Sequence, residues 1–181
     1  MANVNNPYGL KPFARTHSGG NPQTEIWPKA AAYGYAIYKW DPVTVLAGVL
    51  NGPASGITPG STRLLGVSLN WSVLSVLTSH QIITDPAALF ECQGDGTGGT
   101  NMVAAKMGYN ANLNVATVAG GGSTVPRDQS GVQVVETLVV TSTYDLRVLS
   151  LVNDPTNAYG ANARVVVQIN KHLRNPEVTV T

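Results

Sequence analysis

Apolar residues in this chain come in short runs broken by turn formers, and that spacing predicts an all-β sandwich or barrel with helix as a minor component. Residues 35–40 and 43–47 form two such runs around Asp41-Pro42, where the proline favours a turn or a sheet edge. A breaker-rich loop over 51–60 follows. Residues 64–77 then supply one or two strands, and 80–84 and 88–93 form another pair around Asp85-Pro86. Only 101–108 suggests a short helix, because Met102, Ala105 and Met107 lie near one face. The clearest elements come last. Residues 132–140 and 144–152 are rich in β-branched side chains and read as a hairpin. Residues 163–170 alternate, so that Val165, Val167 and Ile169 share one face and Arg164, Val166, Gln168 and Asn170 the other.

The first 32 residues break this pattern. Pro7, Pro12, Pro22 and Pro28, with Gly9, Gly19 and Gly20, prevent a helix and weaken any central strand, so 1–32 reads as an extended arm ahead of a β-domain over 33–174 and a tail over 175–181. The arm nevertheless carries Tyr8, Leu10, Phe13, Ile26 and Trp27, an apolar load that something must cover. Two destinations are open: the arm's own domain or a neighbouring subunit. Pro7, Tyr8, Leu10, Phe13 and Trp27 are therefore candidate contact residues, joined by Lys171 and Arg174 of the small basic cluster around His172.

Composition sharpens this. The hydrophobic fraction of 43% is ordinary, while the charged fraction of 12% is half the usual value of about 25%, the composition of a surface that meets a partner. Eleven Lys and Arg against ten Asp and Glu give no field that gathers nucleic acid or an anionic membrane. Cys92 is the only cysteine, so no internal disulfide forms and folding in the cytosol is expected. Residues 1–10 lack the basic-then-apolar order of a secretory signal, and no apolar run reaches the roughly 20 residues of a membrane span.

The motifs that carry chemistry are weak. Gly94-Asp-Gly-Thr-Gly-Gly99 satisfies G-x-G-x-x-G, but no acidic residue stands about 20 positions on to hold a ribose, and no Gly-Lys-Ser/Thr follows. His17, His80 and His172 are far apart in sequence, so neither metal nor cofactor is expected; His80 reads as a surface histidine near a buried Cys92. Among Asp85, Glu91 and Asp95 a carboxylate pair of the kind glycoside hydrolysis needs can be drawn, since Glu91 and Asp95 flank a turn, though acids at strand ends more often cap or face solvent. Gly121-Gly-Ser-Thr-Val125 lacks the final glycine of a nucleophile elbow. Trp27, Trp40 and Trp71 are read as core or interface before sugar platforms.

Several phrases, taken in order, resemble the decoration or cement proteins of tailed double-stranded DNA bacteriophage heads. They are Asn5-Asn-Pro-Tyr-Gly-Leu-Lys-Pro12, Asp41-Pro-Val43, Gly66-Val-Ser68, Asp85-Pro-Ala-Ala-Leu-Phe-Glu-Cys-Gln93, Gly108-Tyr-Asn-Ala-Asn-Leu113, 127–131, Leu146-Arg-Val-Leu149, Ala161-Asn-Ala-Arg164 and Ile169-Asn-Lys-His-Leu-Arg174. The resemblance implies a jelly-roll-like β-sandwich without catalytic activity, made in the bacterial host cytoplasm and placed on the capsid exterior of the virion. There it would bind the major capsid protein and copies of itself, as a dimer or trimer. A tail component and a carbohydrate-binding β-sandwich reading glycans through Trp40 or Trp71 are the alternatives.

Overall fold

The structure is a computed structural model that describes residues 3–13, 20–29, 36–54, 56–72, 78–96, 102–115 and 130–175 of the 181. The expected all-β architecture is what the chain forms, built as two units that share a wall. Strands β2 (Thr24–Lys29), β3 (Pro42–Leu46), β4 (Val49–Asn51), β5 (Gly66–Ser68) and β6 (Thr78–Ile83) close into a barrel in the order β2-β4-β3-β5-β6. Closure comes from β2, which pairs along its whole length with β6 and touches β4 in parallel at Lys29 and Leu50. Ala47 and Gly48 turn β3 into β4, both at positive φ (50° and 80°), the geometry whose twist matches a two-residue hairpin. At Gly66 a Cβ would fall 1.8 Å from the Ile83 carbonyl oxygen, so only glycine lets β5 lie this close to β6.

The second unit is a five-stranded antiparallel sheet. Its order is β1 (Lys11–Pro12), β7 (Leu89–Gln93), β12 (Arg164–Ile169), β11 (Leu146–Leu151) and β8 (Asn110–Ala111). A ribbon of β9 (Leu113–Asn114) and β10 (Gln133–Val134) packs over the same core. Phe90, Cys92, Leu146, Val148, Val165, Val167 and Ile169 fill that core from the sheet, and Leu113, Val132 and Val134 from the ribbon side. Val67 and Ile83 point out of the barrel into it, while their neighbours Ser68 and Ile82 are also buried, in line with strand alternation. That shared wall is why the barrel and the sheet form one packed body.

Several expectations need correction. The described part of 1–32 takes the first of the two open destinations, its own domain, and does so as paired strands rather than as an unpaired extension: Lys11–Pro12 is a sheet strand, Thr24–Lys29 a barrel strand, and Leu10 is fully buried in the main core. Short strands and prolines at an edge or an exposed position are compatible with pairing, which the local pattern hides. Of residues 35–40, the described 36–40 form no named strand and include a bridge between Ile37 and Ser72. The expected hairpin of 132–140 with 144–152 does not form, because β10 pairs with β9 while β11 pairs with β12 and β8. The helix over 101–108 shrinks to a single 3-10 turn, Ala104–Lys106. Val165, Val167 and Ile169 are buried as expected, yet Val166 and Asn170 on the other face are buried too. Of the tail over 175–181 only Asn175 is described, and His17 and the loop around 120–122 lie outside the described residues.

Candidate functional site

Residues 3–10 run as a strap across the sheet, and side chains fasten them. Gln93 on β7 accepts the Asn6 amide N–H at 2.8 Å and donates its own Nε2 to the Val4 carbonyl at 2.7 Å. Gln133 donates to Asn5 Oδ1, and Asn3 Nδ2 donates to the carbonyls of Ala158 and Ala161. Tyr8 donates its hydroxyl to Glu91 at 2.5 Å, and burial, reinforced by that carboxylate, drives the phenol pKa upward. Arg164 on β12 reaches Glu91 at 3.7 Å and Asp154 at 2.8 Å. The Thr156 hydroxyl and the Arg164 guanidinium both hold the Asp154 carboxyl below the usual carboxylate range. A cleft of about 320 Å³ remains beside the strap, lined by Tyr8, Gln93, Asn162 and Arg164 among others.

The sheet's edges are guarded. At β1 the outward side belongs to Pro12, since Phe13 N–H bonds inward to Leu89, and proline offers no donor. At β8, Asn110 exchanges both backbone bonds with Val139 (2.7 and 2.9 Å). Among the described residues, neither edge offers a free ladder for an added strand.

The barrel encloses a polar chain. Ser68 Oγ donates to the Asn70 carbonyl at 2.8 Å, so it accepts from His80 Nδ1–H, and Nε2 then accepts from Ser72 Oγ–H, both at 2.9 Å. All three residues are at most 3% exposed, which keeps substrate away from the serine–histidine pair. His80 is thus not at the surface, nor is it near Cys92, which lies in the other core. Burial and nearby Lys29 lower the His80 pKa to about 4, and burial pushes the Cys92 thiol up to about 12, far from a reactive thiolate. The three acids are also dispersed. Asp85 accepts the Ala87 N–H in a turn, Glu91 serves Tyr8 and Arg164, and buried Asp95 accepts from Asn114 and the Glu136 amide. Among the described residues no three His, Cys, Asp or Glu side chains are grouped to hold a metal, and no helix is long and apolar enough to cross a membrane.

The candidate contact residues divide sharply. Pro7 and Tyr8 are half-buried in the strap and Leu10 is in the core, so the chain itself covers them. Trp27 packs against the barrel core and donates to Glu25. Lys171 is not a surface cation: it is 7% exposed and donates to the Gly60 carbonyl beside Asp145. Arg174 is exposed and pairs with Glu25 at 2.7 Å. Phe13 is exposed on an apolar groove of about 290 Å³ formed with Pro12, Pro22, Leu69, Ile83 and Leu89. Sequence reading missed the Tyr8–Glu91–Arg164–Asp154 chain, although three of its members stand in the phrases quoted above. A scan against family models finds no match, and neither do searches of curated proteins and of solved structures.

Proposed function

We propose that this chain is a non-catalytic structural protein of a tailed-phage virion that decorates the head exterior and cements neighbouring major capsid subunits. One observation carries the reading beyond a list of phrases. The opening Asn5–Pro12 segment, the segment ending at Gln93 and the segment ending at Arg164 are far apart in sequence, with 83 positions separating Tyr8 from Glu91, yet they meet. Asn6 bonds to Gln93, Tyr8 to Glu91, Arg164 to Glu91, and Gln93 to the Asn162 carbonyl. Phrases that meet this way form one rigid scaffold, and a rigid scaffold loses little entropy when it docks. A clamp that must resist pressure from packaged DNA needs that rigidity.

The test is saturable binding of the purified protein to heads assembled from a tailed-phage major capsid protein. Cryo-electron microscopy should place density at one repeated position on the outer shell. Folded protein that ignores heads, or binds only tails, overturns the reading. The carbohydrate alternative keeps one observation in its favour, since Trp71 is 53% exposed on the barrel, while Trp40 packs against the core. Glycan-array binding lost in Trp71→Ala would favour it.

A further inference from the structure

We propose that Lys11, Lys39 and Trp40 form the point where this surface accepts an acidic side chain of the partner protein, a contact that rests on the capsid reading. Trp40 occupies the third position of a turn closed by the Asp41 N–H on the Tyr38 carbonyl, with φ of 69°, a place that suits glycine. A tryptophan there is strained. It is held by its own N–H on the Ser68 carbonyl (2.7 Å) and by its carbonyl, which accepts from Leu10 (3.0 Å), so barrel and strap fix it together. The Tyr8 ring meets the indole edge-on at 6.5 Å.

Two ammonium groups converge on that indole. Lys39 Nζ lies 4.9 Å and Lys11 Nζ 6.0 Å from the ring centroid, so the two charges are at most about 11 Å apart, near one screening length at physiological salt. The ring's negative face favours each, and no carboxylate of the described residues is paired with either. Glu91, the cross-strand partner of Lys11, is engaged by Tyr8 and Arg164, and Asp41 is fully buried with Oδ2 accepting the Tyr38 N–H. No ion pair joins either lysine to a carboxylate among the described residues. Two fixed cations on a rigid apolar wall suit one Asp or Glu of a protein. A nucleic acid would call for a longer basic track than two charges.

The experiment compares the intact protein with a Lys11→Glu/Lys39→Glu variant, using Lys106→Glu on the remote 3-10 turn as a charge control. Association with heads should slow about tenfold or more and lose its salt dependence in the double variant only, with the thermal midpoint unchanged. Unchanged association rate and salt slope, while the wild type binds heads, overturn the proposal. So does equally tight, lysine-dependent binding of duplex DNA, which would mark a general polyanion site. A polyglutamate peptide, followed by Trp40 emission in a Trp27→Phe/Trp71→Phe background, separates the two readings. Lysine-dependent peptide binding without head binding keeps the acidic contact and removes the capsid role; no response to the peptide or to heads removes both.

Discussion

The main core and the barrel interior are built on opposite terms. Among the described residues, twenty buried apolar side chains, from Leu10 to Ile169, make the first, and five make the second: Ile37, Val43, Leu50, Leu65 and Ile82. The barrel compensates with polar groups, closing Lys29, Ser68, Ser72 and His80 among those five. One region is held by area removed from water, the other by hydrogen bonds that must all be made once water is gone. The first should respond to lost volume and the second to changed protonation.

The largest effect belongs to the main core. Phe90 is 1% exposed on β7, and Phe90→Ala should cost about 3–5 kcal/mol in urea unfolding. Because Val67 and Ile83 join barrel and sheet through one wall, the loss should appear as a single shifted transition. A biphasic curve, with the barrel surviving, would break the comparison. Leu10→Ala comes next at about 2–5 kcal/mol, since Leu10 is fully buried although it lies in the strap. Deleting residues 1–10 should cost more still; a fully stable truncated protein would return this segment to the status of an arm.

That outcome bears on what the sequence made legible. Alternation placed Val165, Val167 and Ile169 in the core because one strand's own period suffices for that. It missed the burial of Val166 and Asn170, which depends on the rest of the fold: Asn170 donates to the carbonyls of Ser142 and Tyr144. The strap was misread for a related reason. The hydrogen bonds that side chains make to it span 83 to 158 positions, and β1 is only two residues long, so no local signal marks it. His80 is buried because Ser68 and Ser72 flank it in space, a pairing no spacing rule encodes. The contact set fared worst, since exposed and self-covered apolar residues look alike in a sequence.

A third prediction sharpens the polar side of the comparison. Burial holds His80 and His172 at pKa about 4, with help from Lys29 and Arg174 respectively, against an ordinary value near 6.5. Between pH 6.5 and 4 the unfolded chain takes up protons that the folded chain refuses, so stability falls on acidification, by up to about 3 kcal/mol per ring. Asp41 acts in the opposite sense. Its burial raises it to about 7, so its contribution is fully present below pH 4 and is lost as pH rises through 7. His80→Gln should therefore flatten the acid loss and Asp41→Asn should steepen it, as measured by urea midpoints at pH 4.5 and 7. Identical profiles for His80→Gln and wild type would mean the barrel histidine is not held neutral.

The smallest expected effect tests whether the barrel's outer face is bare. Ile26 is 76% exposed on β2, opposite exposed Gln81 on β6, and it lies on neither core. Ile26→Ser should therefore change the stability of the free protein by less than about 0.5 kcal/mol, because no buried volume is removed and no polar group is stranded. A larger loss that grows with protein concentration would show that copies of the chain already cover this face in solution. Wild-type stability combined with weaker attachment to heads would instead place a partner on the barrel. The unit with the smaller apolar core would then supply the docking surface, and the larger one the rigidity behind it.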